Sequence, residues 1–476
     1  MDANTPQAAT PRAPLYVELA RNTSDRAEAE LSVEGEIPAT LSGVLYRNGP
    51  GIFLRGDLTK EMILDGDGII QRLEFHSGHA RYSRRFVRTP KFIAEAAANC
   101  FLWSSWTTAL PGARKEAQQV LSQAGITTYL VNETLYALDE VAPGFEVDAD
   151  TLETRRAAKL GLPEEDRSMR AHARYLVERG DWLFASTRMN PHGMSIDLVR
   201  HRANGERIVT PTITAPRMSY LHDFGATDRY AIMILQPAIF DPSRYMSGLA
   251  TFLGSIEWRP SEGNVVLLVD LATDKTQRFE APASWVWHIG NAFEQNEEVI
   301  IDFAGYDDPG HFLGHGAQLA AVMRGEDGVR GAAGHLRRYT ITPHSGRLAQ
   351  TIMSDGNFEF PSSDPRFCGI PHRRLYATRG LQPGMLHSAI AALDTKTGQL
   401  DSFDFGLHVN VLEPIFAPQR EGKPEEGWLI TQTLDTKRGT SGFAILDASN
   451  VSAGPVATVQ LGETMPISFH GQWVAR

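Results

Sequence analysis

Four histidines of this chain stand where an imidazole is out of place unless something binds it. His288 lies in SWVWHIGNAFEQNEEVIID (residues 284–302), between an aromatic run and a strand-like VIID. An unpaired polar group buried in such a stretch costs about 1–3 kcal/mol. His172 in RAHARY, His222 in YLHDFG and His470 in ISFHGQW share that setting, each beside strand-like or aromatic sequence. His76, His79, His192, His201, His335 and His344 lie in polar turns and read as ordinary. The common context predicts that His172, His222, His288 and His470 meet at one metal ion. HExxH and CxxC pairings are absent, so a zinc site of the usual kind is not indicated. Imidazole suits iron, copper, nickel and zinc, and the residues alone leave the choice open. Asp65, Gly66, Asp67 and Gly68 resemble the start of a calcium loop. The remaining ligands are missing and the flanks are strand-like, so calcium is set aside.

The elements that must position these histidines are short strands. MILDGDGIIQRLEFHSGHARYSRRFVRT reads as a meander with Asp-Gly and Ser-Gly turns. From Thr127 onward β-type runs recur to the C-terminus, among them DWLFAST, YAIMIL, NVVLLVDL, GWLITQTL and VATVQL, separated by turn clusters such as ERGD and DTKTG. So many short strands mean an all-β sandwich, barrel or propeller, and over 476 residues they favour a propeller. Insertions are expected at 90–124, 236–262 and 306–333. The first has helical composition and an apolar cluster at Phe101, Leu102, Trp103 and Trp106. It reads as a helix across a sheet, or as an apolar lip that admits substrate or touches a membrane.

Composition narrows the partners. The chain carries 42% apolar residues, enough for a large core, and a formal net charge of -11 without a basic run, which argues against nucleic acid. No stretch has transmembrane length. Residues 1–15 read as a disordered leader without a secretory layout, so a cytoplasmic protein is expected, with one domain from 16 to 476. Cys100 and Cys368 fit a reducing compartment.

Several stretches in order resemble the carotenoid cleavage oxygenases: EGEIPATLSGVLYRNGPG, DGDGIIQRLEF, YALDE, RAHARY, LHDFG, WHIGNAFE, FEFPSSDPRF, LEPIFAPQ and FHGQW. The likeness runs nearly end to end. It implies a seven-bladed β-propeller with a dome of insertions over a ferrous ion on the axis. His172, His222, His288 and His470 match the family's iron ligands. Glu140, Glu359 and Glu413 match its three carboxylates that hold those imidazoles. The implied reaction is cleavage of an alkene C=C bond by dioxygen to two carbonyl products.

Relatives divide between carotenoid-type and stilbene or phenylpropenoid substrates. The phenolic group carries a lysine just before the first glutamate, where this chain has Asp139. An aspartate there would repel a phenolate, so an apolar apocarotenoid-like substrate is expected, in a tunnel bordered by Phe101, Trp103 and Asp139. Relatives often carry an Asn-Thr pair ahead of that glutamate, and Ile126-Thr127 is the nearest match here. The alternatives are a stilbene-cleaving enzyme, a retinoid isomerase on the same scaffold, and a non-catalytic propeller that binds partners. Peripheral membrane contact near Phe101–Trp106 is a further expectation.

Overall fold

The computed structural model describes residues 20–110, 121–140, 142–158, 160, 169–190, 193–314, 316–419 and 423–476. The expected leader at 1–15 lies outside these, as does 111–120 of the first insertion. Seven antiparallel sheets succeed one another along the chain and form the blades of a propeller. Blade 1 holds Arg26–Glu30, Gly43–Pro50, Gly68–His76 and His79–Phe86, and it is completed by the last strand, His470–Ala475. Blades 2 to 6 begin at Thr127, Met169, Gly225, Trp285 and Asn357. Blade 7 combines Gly427–Asp435 and Thr440–Asp447 with Ser32–Gly35 from near the start of the chain. Strands from the two ends of the chain therefore close the ring in two adjacent blades.

The sequence makes blades because the strands are apolar on both faces. NVVLLVD is buried at every position, as is YAIMIL. A sheet with two apolar faces needs a cover on each side. Each blade meets its neighbour in a separate apolar cluster. Leu183, Leu198, Met233 and Leu267 fill the gap between blades 3 and 4. Ile232, Val266, Ile301 and Tyr339 fill that between 4 and 5, and Phe443 and Ile445 pack on Leu73 and Tyr82 where blade 7 meets blade 1. An eighth cluster caps the axis, built on Phe53, Trp106, Tyr220, Trp285, Trp287 and Phe312.

The cap comes from the expected insertions, with one correction. Among the described residues the first insertion is helical only over Pro90–Ala98, capped by Thr89 at its start and ended by Asn99 in the left-handed region. Phe101, Trp103 and Trp106 follow in irregular chain. That chain is pinned by Asp65, which accepts from Ser105, Thr107 and Thr108. Asp67 meanwhile pairs with Arg55 and Lys91 at 2.9 Å each. The two acids of the apparent calcium loop thus anchor the cap. Residues 236–262 form a small hairpin, Ala238–Phe240 with Ile256–Trp258, around a short helix. No described helix is long and apolar enough to cross a membrane. Both cysteines are unpaired.

Ring closure has little slack. At Gly49 a Cβ would stand 2.5 Å from the backbone Cα of Ser468, two residues before His470. Gly49→Ala is expected to destabilise the fold by about 1–3 kcal/mol, visible as a lower thermal midpoint. An unchanged midpoint would show that the returning chain can move aside.

Candidate metal centre

Seven residues converge on the axis, and each blade supplies one of them. His470 comes from blade 1, Glu140 from blade 2, His172 from blade 3 and His222 from the chain leading into blade 4. His288, Glu359 and Glu413 come from blades 5, 6 and 7. Except for Glu140, which follows the interior strand Thr134–Leu138, these residues sit on or beside edge strands of their sheets, and three of the strands are irregular where the side chain turns inward. Pairing register shifts between Met169 and Ala173 around His172, and between Val286 and Asn291 around His288. It shifts again after Glu359, where Phe360 takes φ +52°. A β-bulge re-aims a side chain that regular pleating would send into a blade interface.

The four imidazoles are buried, and their ligand atoms all lie within 4.8 Å of one another. His172 Nε2 and His222 Nε2 are 3.2 Å apart, as are His222 Nε2 and His288 Nε2. The Nδ1 side of three rings is occupied. His222 Nδ1 donates to Glu140 Oε2 at 2.7 Å, His288 Nδ1 to Glu359 Oε2 at 2.5 Å, and His470 Nδ1 to Glu413 Oε1 at 3.0 Å. Those contacts assign the proton to Nδ1. Nε2 is then a bare lone pair, and such lone pairs point at one another. Two nitrogens bound to one ion at about 2.0–2.1 Å sit about 2.8–3.4 Å apart in right-angled or tetrahedral arrangements. The observed 3.2 Å falls in that range.

Electrostatics point the same way. Burial, then repulsion from neighbouring imidazoles, holds His172, His288 and His470 well below the usual histidine range, so the rings are neutral. Burial pushes Glu359 up to about 8 and Glu413 up to about 7, the latter opposed by Arg47. Among the described residues, Glu140 is the one of the three paired with an arginine, Arg170 Nη1 at 3.1 Å. Carboxylates held this deep call for a cation. The donor set therefore fits a divalent transition metal.

The ring of histidines separates two spaces. On the cap side is an apolar cavity of about 60 Å3, lined by Ile63, Trp106, Ile126, Trp287, Leu412 and Phe469 among others. On the other side is a larger and more mixed one of about 710 Å3, bordered by His172, Arg174, Asp223, Glu413 and Cys368 and reaching exposed Asn132.

The expected tunnel residues are corrected. Asp139 does not border the apolar cavity. Its Oδ2 accepts from the backbone N–H of Gln123 and Ala124 at 2.8 and 3.0 Å, and its Oδ1 from that of Glu140. It shapes the turn before Glu140 and is not part of the cavity wall. Phe101 lies under Lys60 Nζ at 4.2 Å, inside the cap, and Trp103 also stands off the cavity wall, where Trp106 takes its place. Thr127 donates to the Ala171 carbonyl while Ile126 faces the cavity. Wall residues not singled out from sequence are Phe360, stacked on His288 at 4.9 Å, and Trp287, whose Nε1 donates to His311 Nε2 at 2.8 Å. Both adjoin a site residue in the chain, which is the one signal that pointed to them.

Glu413→Gln is expected to weaken binding of Fe(II) or Co(II) by about 10–100-fold, read by titration against a chelator. Wild-type affinity in that variant would remove the carboxylate's role. His288→Ala should abolish stoichiometric metal altogether.

The family model for RPE65, retinal pigment epithelial membrane protein, matches residues 19–475. The chain is 26% identical to apocarotenoid-15,15'-oxygenase of Synechocystis sp., over 93% of this chain and 92% of that one. It is 26% identical to isoeugenol monooxygenase of Pseudomonas nitroreducens, covering 94% and 95%. It is equally 26% identical to lignostilbene-alpha,beta-dioxygenase isozyme III of Sphingomonas paucimobilis, covering 93% of each. Among solved structures, cobalt-substituted Synechocystis ACO superposes with a TM-score of 0.89 at 24% identity, covering 97% of this chain and 99% of that one. A family match over almost the whole length, seven blades and an axial cluster of four histidines lead to one assignment: this chain belongs to the carotenoid cleavage oxygenases, a family of non-haem iron enzymes.

Proposed function

We propose that this chain binds one ferrous ion through His172, His222, His288 and His470 and cleaves a C=C bond of an elongated apolar alkene of the apocarotenoid class. The observation that carries the substrate class is the cap-side cavity, whose wall is aliphatic and aromatic apart from the site itself, His387 and Asn410. Membership of an alkene-cleaving oxygenase family supplies the reaction: one alkene and one dioxygen give two carbonyl products, with both oxygen atoms accounted for.

Iron held by four neutral imidazoles would supply the electrons by which dioxygen becomes reactive toward the alkene, and would keep coordination positions free. The protein's own groups do the rest. Glu140, Glu359 and Glu413 hold protons at Nδ1 and so keep Nε2 available. Phe360, Trp287 and Phe469 exclude water and confine a planar double bond beside the ring of nitrogens. Exposed Leu381 and Leu407, 67% and 68% accessible, lie on a neighbouring outer pocket. They suit uptake of an apolar molecule, from a membrane surface or from a carrier.

A second reading is a shorter aryl alkene, such as a stilbene or a phenylpropenoid. Two observations favour it. The cavity, about 60 Å3, is far below the roughly 300–1,000 Å3 of common ligand sites. Asp139, moreover, is turned to the Gln123–Ala124 backbone rather than to the cavity.

Aerobic incubation of iron-loaded protein with apocarotenals and hydroxystilbenes should give paired carbonyl products and oxygen uptake with one class. Turnover should disappear in His288→Ala. Rearrangement without oxygen uptake would make the chain an isomerase. Protein that holds no iron, with histidine variants that behave as wild type, would leave a binding propeller.

A further inference from the structure

Asn410 lies on the short strand Val409–Val411, three residues before Glu413. It is 7% exposed, and its Nδ2 has no hydrogen-bond partner among the described residues. A buried carboxamide donor left unmade is costly, and native proteins leave few. Its position is unusual as well. The apolar cavity over the histidines and the outer pocket share Leu386, His387 and Asn410 in their walls. Asn410 therefore stands at the neck between the surface and the metal centre.

The other polar groups of the inner wall are committed. Glu140 is taken by His222 and Arg170. His222, His288 and His470 face the centre. His387 is satisfied at both nitrogens, by Thr378 Oγ1 at 2.7 Å and by Asn357 Nδ2 and the Gly384 carbonyl at 3.1 and 3.0 Å. The free donor of the neck is Asn410.

We propose that Asn410 is a specificity-determining residue: its Nδ2 donates a hydrogen bond to a carbonyl or hydroxyl oxygen of the alkene substrate. The substrate class is thereby an alkene oxygenated at the end that lies toward the surface. Holding that oxygen at the neck sets how far the chain reaches inward, and so which double bond lies at the histidines. The inference rests on the alkene-oxygenase reading for what the ligand is, but not for its test.

The test is binding to full-length, iron-loaded protein under nitrogen, followed by quenching of tryptophan fluorescence, since Trp106 and Trp287 line the cavity. The probes are matched pairs: an apocarotenol and its deoxy hydrocarbon, and 4-hydroxystilbene and stilbene. Wild type should prefer the oxygenated member of at least one pair by about 10-fold, and Asn410→Leu should reduce that preference to within about twofold. Asn410→Val is the second variant, suited to a strand. Because each removes an unpaired buried donor, neither should lower the thermal midpoint. Equal binding of both members by wild type, or an undiminished preference in both variants, overturns the proposal. A preference that depends on Asn410, in protein that forms no carbonyl product in air, would retain the recognition role and discard the oxygenase reading.

Discussion

Everything at the axis follows from which nitrogen of each imidazole carries the proton. Carboxylates behind the rings claim the Nδ1 hydrogens of His222, His288 and His470. The opposite nitrogens of His222 and His288 are left as lone pairs 3.2 Å apart, a repulsion that a bound cation relieves. Remove a carboxylate and the ring can turn or change tautomer, and the repulsion vanishes along with the site. Three of the four rings are thus oriented by hydrogen bonds whose donors are the imidazoles themselves.

That arrangement explains why the protein is a propeller of this size. Seven polar groups must be brought to one line from an apolar scaffold, and a ring of seven sheets presents seven inner edges. The edges are also where irregular pairing is tolerated, since an edge strand can bulge without breaking two ladders. The blade interfaces, each with its own apolar cluster, supply rigidity behind the bulges.

Legibility in the sequence divided along the same boundary. The strands were visible because period and turn chemistry are local. The four histidines stood out because an imidazole beside WVW or ISF has no local explanation, and the family motifs then linked them with Glu140, Glu359 and Glu413. What failed was anything that depended on side-chain direction. Asp139 sits beside Glu140 in the chain, yet successive side chains there point to opposite sides, one to the turn and one to His222. The 90–124 stretch carries helical composition, but just after Phe101 and Trp103 the chain is held by Asp65, which accepts from the hydroxyls of Ser105 and Thr108 and from the backbone N–H of Thr107. Asn410 was passed over because an unpartnered amide has no signature in a string of letters.

The strand that closes the ring also carries His470, only a few residues from Arg476, while its partner strand Gly43–Pro50 lies near the opposite terminus. The fourth imidazole therefore reaches the axis only when two strands far apart in the chain have paired. A ring left open at blade 1 lacks His470, so assembly of the histidine cluster is coupled to closure of the propeller.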